Sequence, residues 1–351
     1  MSSKKPDKLL DFVTNLAGEE VLKVEADLGS GFYRLNVGEA ERRQARQDIR
    51  SIEAAVVELV RNSRDAGAMR VFVATSKDTA GLRRITVLDD GRGVPPQFHQ
   101  AIFEPRVTSK VDGVIEDRFG IHGRGMALYS IRANADELGL LESEPGRGTA
   151  LTMSVPVSRL RERKDQSTFP KLKVTQANKI KIVSGPHNVW RHLIEIGLDN
   201  PGLEIFYGSH SEILAALISD REASPAEMST IWSDLALLED PDALSERSAA
   251  LGLRNSPRNC RRILEGEIEP VHSIKCLLRQ MLVMAPPVKV SRRRATGKIS
   301  KEDLEELAKA VAEDFRKVGY KYFLRVKGEP RVSSSPTKVT IELPVESDES
   351  G

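Results

Sequence analysis

The chain has 351 residues, 40% of them apolar and 30% charged, enough to build a core and more than one average domain needs. Lys and Arg number 53 against 51 Asp and Glu, so the formal charge is +2; a globally basic nucleic-acid coat is excluded, a local basic patch is not. Two cysteines, Cys260 and Cys276, exclude a disulfide-rich secreted scaffold, and neither has zinc-ligand spacing.

Residues 1–45 read as a polar, partly helical arm. They lack the apolar run of a signal peptide, which points to a cytoplasmic chain with no membrane partner. From Asp48 to Ala66 the spacing predicts a helix ended by Gly67. Two β-branched strands follow at Arg70–Ser76 and Arg84–Asp89, then a glycine-dotted stretch from Gly91 to Gly123. A helix over Arg124–Leu138 and a turn and strand from Gly146 to Val157 close a domain at 46–158. This order predicts an α+β sheet with helices on one face. A charged linker is expected at 159–175 and a mixed α/β region at 176–239. A basic helical segment at 240–285 and a basic linker at 286–300 precede a C-terminal helix with two strands at 301–351.

The most informative helix carries Glu58, Asn62 and Asp65 in one stripe beside the apolar Ile52, Val56, Leu59 and Ala66. Such a row of oxygens suits Mg²⁺ held jointly with nucleotide phosphates, and equally suits a solvated acidic face. Asp89, with Gly91 and Gly93 after it, delivers a carboxylate into a sharp turn; it reads as an acceptor for an adenine amine or as a plain Asp-Gly turn. Gly120, His122, Gly123, Arg124 and Gly125 open a helix, where free N–H groups make an anion site. Thr149, after Gly146 and Gly148, supplies a hydroxyl to back up Asp89, and Lys110 is a candidate phosphate contact.

Taken together, these four elements resemble the GHKL ATPase family, which includes gyrase B, heat-shock chaperone relatives, sensor histidine kinases, MutL and the topoisomerase VI B subunit. The resemblance covers about residues 48–157. It implies the Bergerat-fold α/β sandwich, ATP and Mg²⁺ as ligands, and Glu58 as the base that activates water. It also implies Asn62 as the Mg²⁺ ligand, Asp65 as its support and Asp89 as the reader of adenine. Ala101 to Lys110 is similar to a histidine-kinase segment, but all six histidines lie after Asn62 and none sits on a preceding helical hairpin. Ala127 replaces a glycine usual in kinases, and the Gly120–Gly123 spacing is closer to the gyrase, MutL and topoisomerase VI group. The leading expectation is therefore an ATPase driving conformational change coupled to DNA or a DNA-associated partner, topoisomerase VI B-like or MutL-like. The alternative is a histidine-kinase-like protein kinase or switch acting in trans.

From Arg254 to Lys298 there are eleven Lys and Arg against three Glu. Residues 249–266 resemble a helix-turn-helix, with Arg258, Arg261, Arg262, Arg292, Arg293 and Arg294 as candidate contacts to duplex DNA; a packed hairpin with a solvated basic face fits as well. A protein partner or an ATP-dependent homodimer is the remaining partner expectation.

Overall fold

The computed structural model describes residues 24–36, 38–108, 115–122, 125–175, 179–219, 230–284, 300–319, 324–335 and 338–347. The chain forms two units, residues 1–285 and 286–351.

In the first unit, β1 (Val24–Gly29) and β2 (Phe32–Leu35) form a hairpin, followed by α1 (Glu39–Asp48) and α2 (Ile52–Asp65). Next come β3 (Arg70–Lys77), β4 (Leu82–Asp89), β5 (Val107–Thr108), β6 (Ile115–Asp117), β7 (Gly120–His122) and α3 (Ala127–Asn134). After β8 (Glu137–Glu144) and β9 (Gly148–Pro156) the chain makes a second hairpin, β10 (Lys171–Val174) with β11 (Ile180–Ser184). The remaining elements are α4 (Val189–Asp199), β12 (Glu204–Gly208), α5 (His210–Ser219), α6 (Pro241–Ala250), α7 (Pro257–Leu264) and α8 (Ile274–Met284).

The central sheet runs β12-β3-β4-β9-β8, antiparallel except for β12, which pairs parallel with β3. Helix α2 starts where the Ser51 hydroxyl accepts the Ala54 N–H at 3.2 Å, and it ends at Gly67 with φ +78°. Its apolar stripe packs with Val71, Val73, Ile85, Val87, Met153 and Val155 of the sheet and Leu193, Ile194 and Ile196 of α4. The opposite sheet face presents Phe72, Ala74, Leu88 and Ala150 to Ile213 and Leu214 of α5, Trp232, Leu244 of α6 and Cys260 and Ile263 of α7.

Within residues 46–158 the helices α2 and α3 lie on one face of the sheet, as expected, and the chain beyond residue 158 covers the other. The cause is β3: Val71, Phe72, Val73 and Ala74 are all buried, so both parities of the strand carry apolar side chains and both need a cover. The downstream chain supplies the second cover.

Three of the expected segments hold more structure than their local pattern suggests. The arm carries a hairpin, whose β2 pairs with β5 and whose Phe32 and Leu35 are buried. The linker at 159–175 is stitched to the fold: Glu53 accepts from Arg163 N–H at 2.8 Å and Gln166 at 2.5 Å, and Leu160 is buried. The mixed region adds β12 to the same sheet rather than building its own. In the helix-turn-helix-like segment, Asp240 and Ser256 cap α6 and α7, and the pair packs inward through Leu244, Cys260 and Ile263.

The second unit contains α9 (Lys301–Gly319), with Leu304, Ala308 and Ala312 buried, then β13 (Leu324–Val326), β14 (Arg331–Ser335), β15 (Lys338–Glu342) and β16 (Val345–Ser347). β14 pairs with β15 and β13 with β16. Two expected strands are thus four, because β15 and β16 are separated at Leu343 and Pro344 and β14 adds a hairpin. Among the described residues no helix is long and apolar enough to cross a membrane.

Candidate functional site

A cavity of about 670 Å³ opens beside α2 on the sheet face that α2 covers. Glu58 and Asn62, one turn apart, form one wall with Ser63. Asp89 and Thr149 lie opposite each other on β4 and β9 and form the floor. Gly93, Val94 and Ile102 line another side, as do Gly125 and the first turn of α3 with Met126, Ala127 and Leu128. Phe32, Gln44 and Asp48 contribute from the N-terminal hairpin and α1.

Asp89 is buried at 5% exposure. Its carboxylate accepts from the Ser63 hydroxyl at 2.7 Å and from the Gly91 N–H at 3.0 Å. Burial pushes its carboxyl up to about 6, against the opposing pull of those two donors. Gly93 has φ +68°, and a Cβ there would lie 2.0 Å from the Glu144 carbonyl oxygen; at Gly148, φ +103°, a Cβ would lie 1.9 Å from the Asp89 carbonyl. These two contacts press the 89–94 turn and the β8–β9 turn together, and only glycine permits that approach. Ser143 ties them further, accepting from the Val94 N–H at 2.8 Å and lying 3.0 Å from the Thr149 hydroxyl.

Glu58 accepts from Arg61 at 2.5 Å. Among the described residues nothing in the protein hydrogen-bonds the Asn62 side-chain amide, which faces the cavity. Among the described residues no cluster of three His, Cys, Asp or Glu side chains could hold a metal ion by itself, so any cation at this wall would need oxygens from a bound phosphate ligand as well.

The other expected residues fall differently. Asp65 is not part of the cavity lining; its carboxylate pairs with Arg64 at 2.9 Å. Gly91 acts through its N–H on Asp89. Gly120 and His122 belong to β7, where the Gly120 carbonyl accepts from Arg61 at 2.7 Å. Lys110, Gly123, Arg124, Arg292, Arg293 and Arg294 lie outside the described residues. Arg258, Arg261 and Arg262 point outward on α7, Arg262 paired with Glu267 at 2.9 Å.

Sequence reading missed Ser63, Arg61, Asp117 and His192. His192 of α4 lines the cavity from beyond residue 158, its ring edge-on to Phe119 with centroids 5.6 Å apart. Burial holds its imidazole below the usual range, against the pull of Glu195 at 3.3 Å. No local pattern marks it. Arg61 did leave a signal, a charge one turn beyond the buried Val57.

Comparison with known proteins is consistent with this geometry. Residues 47–159 match the family of histidine kinase-, DNA gyrase B- and HSP90-like ATPases, and the chain carries a domain of that family. DNA mismatch repair protein MutL of Thermus aquaticus is 43% identical over 86 residues, 24% of this chain and 15% of that protein. MutL of Rhodospirillum rubrum is 40% identical over 105 residues, 29% of this chain and 16% of that protein. MutL of Acidiphilium cryptum is 38% identical over 110 residues, 31% of this chain and 18% of that protein. The chain thus spans less than a fifth of the length of these curated relatives.

Proposed function

We propose, from the premise that residues 47–159 are a GHKL-type ATPase domain, that this chain binds ATP with Mg²⁺ in the α2 cavity and hydrolyses it slowly. Turnover would drive a conformational change coupled to duplex DNA or a DNA-associated partner. The observation that carries this reading is the buried carboxylate of Asp89 on the cavity floor, with Glu58 and Asn62 one turn apart on the adjoining wall.

Asp89 would accept from the exocyclic amine of adenine. Its burial gives that hydrogen bond a low-dielectric setting, and Ser63 and Gly91 fix the carboxylate plane. Asn62 would hold Mg²⁺, which offsets phosphate charge when bound. Glu58 would accept the proton of the attacking water as a general base. Val87, Ile102, Val107 and Leu151 give the cavity an apolar lining that would limit water around a bound nucleotide.

The MutL relatives are DNA mismatch repair proteins, and α7 turns Arg258 and Arg261 to solvent. A DNA-stimulated ATPase that pairs with a second copy of itself is the form of machine favoured here, of topoisomerase VI B-like or MutL-like type.

Calorimetry with Mg-ATP and phosphate-release assays with and without duplex DNA test the proposal. Glu58→Ala is expected to retain ATP binding and to lower turnover by about a hundredfold or more. Unchanged turnover removes Glu58 as the base. Transfer of labelled γ-phosphate to a protein, without DNA stimulation, would move the function to a kinase acting in trans.

A further inference from the structure

The cavity explains Glu58 but not the residue that grips it. Arg61 is 1% exposed and absent from the cavity lining, so it does not meet a ligand there. Its guanidinium makes four hydrogen bonds: to Glu58 at 2.5 Å, to both carboxylate oxygens of Asp117 at 2.9 and 3.1 Å, and to the Gly120 carbonyl at 2.7 Å. Asp117 and Gly120 flank the turn of the β6–β7 hairpin. Asp117 is held in turn by the Phe119 N–H at 2.9 Å and by Arg64 at 3.2 Å.

A glutamate on a helix has three rotatable bonds, and a partly exposed one such as Glu58 samples several rotamers unless it is held. Fixing one carboxylate oxygen with a buried, planar donor sets the direction of the other. Arg61 can do this because it is itself fixed at its other end by a two-oxygen grip from the hairpin. Lysine carries one nitrogen and cannot hold both ends in this way.

We infer that Arg61 is a positioning residue for hydrolysis, which aims the Glu58 carboxylate and takes its own position from Asp117 on the β6–β7 hairpin. The inference deepens the ATPase reading and rests on it. The base is then in register only when the hairpin is seated, so hydrolysis depends on the hairpin although no hairpin carboxylate need touch the water.

The test compares Arg61→Met, Arg61→Lys and Asp117→Asn for ATP affinity by calorimetry and for kcat by phosphate release. Arg61→Met is expected to lower kcat by about a hundredfold, and Asp117→Asn by about tenfold, with the Kd for Mg-ATP within about twofold of the unaltered chain. Arg61→Lys should fall between Arg61→Met and the unaltered chain. Adding Arg61→Met to Glu58→Ala should cost no further turnover, because Arg61 acts through Glu58. Should Arg61→Met fail to fold, Asp117→Asn, an isosteric change at a partly exposed site, carries the test. Wild-type kcat in both Arg61→Lys and Asp117→Asn overturns the positioning role alone. An equal loss of affinity and turnover also overturns it. No ATP turnover by the unaltered chain overturns the ATPase reading as well.

Discussion

Replacing Asp89 by Asn should strengthen the fold while weakening nucleotide binding, and the strengthening should depend on pH. In the folded chain burial lifts the Asp89 carboxyl from 3.8 to about 6. Folding therefore favours the protonated acid. The stability that Asp89 contributes is whole below about pH 3.8 and is lost as pH rises through about 6. A gap of roughly two units corresponds to about 3 kcal/mol at about pH 8. Asn never ionises, and the site can satisfy it. Its carbonyl can accept from Gly91, and its amide can donate to Ser63, whose hydroxyl then keeps the Leu59 carbonyl at 3.4 Å. Urea unfolding of the ligand-free protein should show Asp89→Asn more stable by about 3 kcal/mol near pH 8, the gap closing toward pH 4. Adenine-nucleotide affinity should fall about 10- to 100-fold, since an amide can turn its NH₂ toward the base amine. A stability gap that is flat with pH, or of opposite sign at pH 8, refutes the electrostatic reasoning; unchanged ATP affinity refutes the assignment of Asp89 to adenine.

Two further outcomes follow from packing. Gly93→Ala puts a Cβ 2.0 Å from the Glu144 carbonyl at φ +68°, and should destabilise by about 3 kcal/mol or more, measured by urea midpoint. A fragment ending at residue 158 should aggregate or lose its near-ultraviolet circular dichroism, because it strips β12 from β3 and bares Phe72, Ala74, Leu88 and Ala150; cooperative unfolding of that fragment would show that the second cover is dispensable.

The site was legible in the sequence where chemistry demands particular residues at short range. Glu58 and Asn62 share a helix face, and Asp89 and Thr149 pair across β4 and β9 beside turns that Gly93 and Gly148 close. Asp65 lies off the cavity lining with its carboxylate paired to Arg64, a partner that wheel geometry, which gives only a direction, does not reveal. The second cover of the sheet was encoded, in a strand apolar at both parities, as was the β1–β2 hairpin, in the Gly29-Ser30-Gly31 turn. What local pattern could not hold is distance along the chain. β12 joins β3 across more than a hundred residues, and His192 and Asp117 reach the site through tertiary packing alone.

The β6–β7 hairpin differs from its surroundings in how it is held, and this bears on how nucleotide could be felt beyond the ATPase domain. The sheet is fixed by ladders and two apolar cores. The hairpin is held by Arg61 and Arg64 on one side, and on the other by Arg118 to Asp199 at 2.6 Å and by Phe119 against His192. Asp199 and His192 both belong to α4, past the segment that matches the family. Arg118 and Asp199 are each about 40% exposed, so their pair contributes about 0–1 kcal/mol and can be exchanged for other contacts at little cost. Asp199→Ala should therefore leave the urea midpoint of the ligand-free protein nearly unchanged. It should also weaken the effect of ATP on proteolysis of residues 189–285, because a link from hairpin to α4 is gone. If ATP alters that digestion equally in the variant and the unaltered chain, the hairpin is not the route by which α4 senses nucleotide.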